Sequence, residues 1–358
     1  MSSVVGISSA GPWRARGAAW LAARPVLVLL ILIVLSISLA VRSGAVGLTL
    51  QDWLAPMVSL DGDSFTGGAY VLWHLRLPRA LFALLIGAAL GLCGALTQGL
   101  FRNPLADPGL LGISSGAACA AALSIVFFAN SGIVLPSVLR SWVLPIAAFL
   151  GAVSVCWVLD RVARWLTADS IAGLLLTGVA LNALAAAVIG LCTYLATDEQ
   201  LRNLSFWTLG SLAGASWGLL LALFVMLAVA VWQVRRLVNS MNALALGEAT
   251  AAHIGINVRH LRSHVIVLVA LLCGFAVAWC GMIGFIGLVA PHMVRSVIGP
   301  DQRQVAPLSM LLGALLLLLA DTVARTIAIP AEIPVGVFTA LLGAPFFLAL
   351  LAGMRHRS

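Results

Sequence analysis

The 358-residue chain is 62% hydrophobic and only 9% charged, with a formal net charge of +8 and a mean hydropathy of +1.11. A soluble domain carries roughly 25% charged residues, so a water-soluble globular protein is excluded and most of the surface must face lipid. All 20 basic residues are Arg, which excludes chemistry that needs a Lys amine, including a P-loop built on GxxxxGK[ST]; the chain has no P-loop ATPase of its own.

A membrane-spanning helix needs about 20 largely apolar residues. The N-terminal stretch carries Arg14, Arg16 and Arg24, followed by an apolar run at 25–41. Arg42 stands where the small residues of a signal-peptide cleavage site would be, so this run reads as a first span preceded by a cytoplasmic segment, residues 1–24. Nine more apolar runs follow, at 78–101, 110–129, 142–159, 170–196, 217–234, 262–282, 284–299, 305–325 and 334–353. The eighth run is short and rich in Gly. The prediction is an all-α polytopic membrane protein of about ten helices in a single transmembrane domain, residues 1–358.

An even number of spans leaves both termini on one side. If that side is the cytoplasm, its helix ends hold Arg14, Arg16, Arg24, Arg102, Arg161, Arg164, Arg235, Arg236, Arg259, Arg262, Arg295, Arg303, Arg355 and Arg357. The opposite ends hold only Arg42, Arg76, Arg79, Arg140, Arg202 and Arg325. The excess lies in the direction of the positive-inside rule, and one span more or fewer would scramble it. The two long outer segments, 43–77 and 197–216, contain Asp52, Asp61, Asp63, Asp198 and Glu199 and, with Trp217 just beyond, Trp53, Trp73 and Trp207. Trp residues at such positions read as interface anchors.

On the inner side, residues 237–260 are too polar to span, and Gly247 and Gly255 interrupt their Ala and Leu. They are expected to form two short helices on the cytoplasmic face. The stretches starting at Cys93 and Cys280 align without gaps, with Pro104 opposite Pro291 and Gly112 opposite Gly299. Five spans separate them, the offset of an inverted repeat. The six Cys lie in apolar runs without metal-ligand spacing and read as small hydrophobes. The pairs Gly87/Gly91 and Gly281/Gly284 are expected to allow close helix packing.

No catalytic constellation is present: there is no HExxH, no GxSxG and no carboxylate pair within a span. Asp321 and Arg325 stand four residues apart on one helix face and are expected to pair near the outer boundary. His74 and His292 read as interface residues rather than metal or heme ligands. The Arg residues are scattered at loop ends, which speaks against a nucleic-acid partner. A channel, a proton-coupled carrier and an ATP-driven permease all remain open, although a proton-coupled carrier would want acidic residues in mid-span.

Four blocks resemble one family. They are LRLPRALFALLIGAALGLCGALTQGLFRNPLADPGLLGISSGAA (75–118), NALALGEATAAHIGI (242–256), GFIGLVAPHMVR (284–295) and ADTVAR…AEIPVGVFTALLGAPFF (320–347). Together they resemble the FecCD-type permeases of iron-siderophore, heme and cobalamin ABC importers. The resemblance implies a type II ABC importer permease fold in a bacterial inner membrane. It also implies a homodimer with two separate ATPase subunits that use ATP and Mg, a periplasmic binding protein, and no permanently bound cofactor.

By the same resemblance, Arg76 and Arg79 of LRLPR and Arg325 of ADTVAR dock acidic residues of the binding protein. Asn242, Ala243, Leu244, Leu246, Gly247, Glu248 and Ala249 belong to the segment that couples to the ATPase. Asn103, Pro104, Pro291, His292 and Asp321 are structural motif positions, and Thr167, Ala168, Asp169 and Ser170 correspond to an inner gate. The translocation path is expected along the dimer axis, lined by the fifth span with the tenth nearby. Residues 174–217 are most similar to heme-uptake members, so heme is the expected substrate, with ferric siderophores or cobalamin as alternatives.

Overall fold

The computed structural model describes residues 24–58, 67–128, 136–166, 170–329 and 331–355. Most of the expected N-terminal segment, and Thr167, Ala168 and Asp169 of the expected inner gate, lie outside the described residues. Among those residues the chain is helical and contains no strand. In lipid no water is available to backbone groups, and a helix satisfies its own N–H and C=O groups internally.

The helices are α1 (Pro25–Arg42), α2 (Leu50–Val58), α3 (Gly67–Phe101), α4 (Ile113–Phe128), α5 (Ser137–Leu166), α6 (Ile171–Leu195) and α7 (Asp198–Leu209). They continue with α8 (Trp217–Ala245), α9 (Glu248–His253), α10 (Val258–Cys280), α11 (Ile286–Ile298), α12 (Gln302–Ala324) and α13 (Val335–Arg355). Local chemistry starts most of them. Pro25 opens α1, and Ser170, Ser216, Asn257 and Asp301 accept first-turn N–H groups of α6, α8, α10 and α12. Thr197 and Gln200 form a reciprocal capping box on α7.

Each of the ten apolar runs corresponds to a helix. Seven helices are long and apolar enough to cross a membrane, while the apolar parts of α4, α11 and α13 are shorter. Two of these short helices follow non-α backbone, at 102–112 and 281–285, which is packed inside the bundle around Pro108–Gly112 and at Gly281. Pro108 lies against Gly287, and the Leu110 carbonyl lies against Gly178. Irregular backbone at membrane depth is tolerated where protein buries it.

The centre of the bundle is α3, which packs against α12, α11, α10 and α8. Its glycines let whole backbones touch. A Cβ at Gly87 would strike the Gly313 carbonyl, one at Gly91 the Ser309 carbonyl, and one at Gly94 the Gly287 carbonyl. The expectation for Gly87 and Gly91 therefore holds, and their partner is α12. Of Gly281 and Gly284, only Gly281 makes a close backbone approach, to the end of α7, and neither lies within a helix. Both lie in the irregular 281–285 segment, where Gly281 has φ +68° and faces the Trp207 carbonyl, and Gly284 has open space beside its Cα. By contrast, α6 exposes Leu176, Val179, Leu184 and Tyr194, an apolar face suited to lipid or to another subunit.

Two further expectations are corrected. Residues 237–260 do not form two short helices: α8 runs on to Ala245, only α9 is short, and α10 begins at Val258. The continuation of α8 buries Met241 and Leu244, so packing offsets the polar residues that made the stretch look independent. The chain breaks at Gly247 (φ +116°) and Gly255 (φ +88°). The stretches beginning at Cys93 and Cys280 do not share local structure. Cys93 is mid-helix and Cys280 ends α10, while Pro104 lies outside a helix and Pro291 inside α11. Instead they pack on each other, with Gly94 against Gly287. All six Cys are unpaired and five are buried.

Added atoms in a packed interior cost about 1–3 kcal/mol. Gly94→Ala is therefore expected to lower the melting temperature of the detergent-solubilised protein by several degrees. Gly190→Ala, whose added Cβ meets no packed neighbour within 4 Å, is expected not to lower it.

Candidate functional site

At the end of the bundle that the Arg asymmetry assigns to the outside, Arg79 and Arg325 meet two carboxylates, with Arg76 nearby. Arg79, near the outer end of α3, faces Asp321, one turn before the end of α12. Its Nε lies 3.1 and 3.2 Å from the two Asp321 oxygens and its Nη2 2.8 Å from Oδ1. Its Nη1 donates to both oxygens of Glu332 at 3.0 and 2.8 Å. Asp321 is 1% exposed. It also stands 3.8 Å from Arg325 Nε, so the expected Asp321–Arg325 pair exists but is the looser contact. A fork-to-carboxylate pair with Arg79 supplies the hydrogen bonds that a buried carboxylate requires.

The other two arginines finish α1. A helix ends with carbonyls that have no partner in the helix, and cations are favoured beside them. Arg76 donates to Val41 O at 3.0 Å, Arg42 O at 3.4 Å and Val46 O at 2.6 Å. Arg325 donates to Ser43 O at 2.8 Å and also to Ala40 O. Arg76 is consequently 7% exposed. A π-helical stretch, Val71–Arg76, leads into the regular part of α3. Nearby, Trp73 Nε1 donates to Asp52 O at 3.2 Å and Trp217 Nε1 to Trp73 O at 3.0 Å, which joins both outer segments to the bundle.

The opposite end, which the same asymmetry assigns to the inside, carries a polar platform. Glu248, at the start of α9, lies 3.2 Å from Arg262 of α10 and 3.6 Å from Arg102 at the end of α3. Asn242 of α8 donates to Asp301 Oδ1 at 2.6 Å and accepts the Gln302 amide at 2.8 Å. The Arg303 amide and the Asn242 side chain hold the Asp301 carboxyl below the usual carboxylate range. Arg303 Nε reaches Asn239 at 3.0 Å. The platform thereby ties α8 to α12, and α9 to both α3 and α10. Ala243 and the buried Leu244 lie within α8, and the Ala249 carbonyl is 2.7 Å from His253 Nδ1. Two apolar side chains project from the platform: Leu246 is 73% exposed and Ile254 is 64% exposed.

Among the motif positions, Asn103 accepts the Leu105 amide at 2.9 Å, and the His292 ring hydrogen-bonds the Pro104 backbone. Pro291 is buried inside α11. His74 stacks on Tyr70 at 4.8 Å. No group of three His, Cys, Asp or Glu among the described residues is placed to hold a metal ion. Ser170 caps α6. Sequence reasoning missed Glu332, which lies 253 positions from its partner Arg79. It also missed Asp301, the pairing of Arg102 and Arg262 with Glu248, and Ile254. Only the motif blocks containing Glu332 and Ile254 pointed to these places.

Residues 28–353 match the model of the FecCD transport family. The hemin transport system permease protein HmuU of Yersinia pestis is 42% identical over 339 residues, spanning 93% of this chain and 98% of that protein. The vitamin B12 import system permease protein BtuC of Citrobacter koseri is 38% identical over 342 residues, spanning 95% and 96%. A solved structure assigned to a metal-chelate type ABC transporter, in an inward-facing conformation, superposes with a TM-score of 0.77 at 32% identity, covering 92% of this chain and 99% of that one. The ten apolar helices, the charged clusters at the two ends of the bundle and a family match over nearly the whole length lead to one assignment: this multi-pass membrane protein belongs to the FecCD transport family.

Proposed function

We propose that the chain is the permease subunit of an ATP-driven importer that carries heme across a bacterial inner membrane into the cytoplasm. Two copies form a homodimer with the pathway on its axis. Two ATPase subunits bind the cytoplasmic side, a periplasmic substrate-binding protein docks on the other, and both termini are cytoplasmic. ATP and Mg are used by the ATPase subunits, and the permease holds no permanent cofactor. Heme is cargo, met by weak and largely apolar walls that permit release. The greater similarity to the hemin permease than to the B12 permease, 42% against 38% identity, favours heme over cobalamin.

The observation that carries this reading is the inner platform. Leu246 and Ile254 offer exposed apolar anchors on either side of the short helix α9, whose Glu248 is tied to α3 and α10. A push on α9 therefore reaches the central helix directly. That arrangement suits a permease driven by a separate motor, and a chain without Lys has no P-loop to drive itself. On the outer side Arg76, Arg79 and Arg325 form the basic surface on which acidic residues of the binding protein dock. Charged contacts of this kind steer encounter and fix register more than they add affinity.

In proteoliposomes containing the permease, its cognate ATPase and its binding protein, heme is expected to accumulate only when ATP is supplied. Uptake without ATP would establish a facilitative channel, and preferential uptake of a ferric siderophore or cobalamin would reassign the cargo. Placing a charge on an exposed apolar anchor, as in Leu246→Asp, is expected to cut uptake more than about tenfold while ATP hydrolysis persists. Gly247→Val, which forces a β-branched residue into φ +116°, is expected to do the same. Wild-type coupling in both variants would overturn the role of the platform.

A further inference from the structure

Every guanidinium nitrogen of Arg79 is engaged within its own chain. An arginine has five N–H donors in a planar fork. Here Nε and Nη2 serve Asp321, while Nη1 serves both oxygens of Glu332. An acidic residue of a docking protein therefore meets a guanidinium whose outward edge is already taken.

The two carboxylates differ in how readily they can leave. Asp321 is buried on α12 and 1% exposed, so separating it from Arg79 would strand a charge away from water. The Glu332 side chain is 47% exposed and stands on the short link between α12 and α13, where the Ile333 amide donates to Ala324 O at 3.1 Å. Water can take over its solvation at little cost. Of the two edges of Arg79, only the one held by Glu332 is exchangeable.

We propose that Glu332 is an internal stand-in for the partner's carboxylate. It occupies the docking edge of Arg79 in the free permease and is displaced when the substrate-binding protein arrives. This rests on the docking reading given above and adds its regulation. The exchange keeps Arg79 paired before and after docking, so the arginine never faces the low-dielectric interior with an unsatisfied edge. It also lowers affinity for any weakly acidic protein, because a newcomer must outcompete a tethered carboxylate. Once released, Glu332 ceases to hold the link that enters α13 three residues later, and docking is thereby connected to a helix expected beside the pathway.

The test measures binding of the cognate substrate-binding protein to the full-length permease in lipid nanodiscs. Glu332→Gln is expected to bind about two- to fivefold more tightly than wild type, the range set by loss of one partly exposed competing ion pair. Asp198→Asn removes an equal charge from the start of α7 without touching Arg79, and is expected to change affinity less than about twofold at physiological salt, where distant charges are screened. The double variant Arg79→Gln/Asp321→Asn removes the buried pair together, and Arg325, which loses Asp321, keeps the Ser43 and Ala40 carbonyls as partners. It is expected to bind weakly and to gain nothing when Glu332→Gln is added.

Unchanged or weaker binding by Glu332→Gln would overturn the stand-in role. So would an equal gain from Asp198→Asn, which would mark a general field effect. Wild-type affinity in the Arg79→Gln/Asp321→Asn variant would instead overturn the docking reading itself. Size-exclusion profiles and melting temperatures of all variants separate these outcomes from misfolding.

Discussion

The backbone contact between α3 and α12 is the constraint on which the remaining geometry depends. Gly87 and Gly91 on one helix meet Gly313 and Ser309 on the other with no room for a Cβ. Lipid gives no hydrophobic drive for helices to associate, so dispersion and interhelical hydrogen bonds must do it, and small residues bring the atoms close enough. With the two axes fixed, the ends follow. The outer ends bring Arg79 to Asp321. At the inner end Gln302 reaches the Ala95 carbonyl at 3.5 Å, and Asp301 meets Asn242. One tight interface thereby carries both charged clusters.

This explains how so few charges are distributed. Arg76 and Arg325 spend donors on the open carbonyls at the end of α1, which is a structural use of a cation in its own right. Arg79 neutralises a carboxylate that could not otherwise be buried. The outer arginines are therefore fasteners of the bundle first, and the docking role proposed for them would be a second use. A substitution at Arg76 or Arg325 tests both roles at once, whereas Glu332 lies outside the packed core and separates them. At the inner side the division is cleaner. Polar residues fasten α9 to the bundle, and the apolar Leu246 and Ile254 are left to face outward.

Much of the fold was legible because its cause is local. Apolar runs of span length are set within a few residues, and so are the caps at Ser170, Thr197 and Ser216, which the structure shows and the sequence reading did not name. The same local rule failed for residues 237–245, which look polar in sequence but continue α8 because Met241 and Leu244 find a core to enter. It failed again for the stretches beginning at Cys93 and Cys280, whose matching residues adopt different structures and meet as neighbours. The site was half legible. Arg76, Arg79, Arg325 and the 242–249 segment were singled out by motif resemblance, and Asp321 by its spacing from Arg325. The partners that define what they do, Glu332, Asp301, Arg102 and Arg262, were not.

By itself, then, the sequence determined that the chain is a helical membrane protein without a nucleotide-binding engine, how its spans are ordered and which residues belong to family motifs. Those properties follow from composition and short-range pattern, which need no knowledge of neighbours in space. Only the tertiary structure decided that Arg79 belongs to Asp321 and Glu332, that two arginines close α1, and that Glu248 links α9 to α3 and α10. Charge pairing depends on distances of a few ångströms between positions up to 253 residues apart. Helix packing sets such distances, and no reading along the chain contains them.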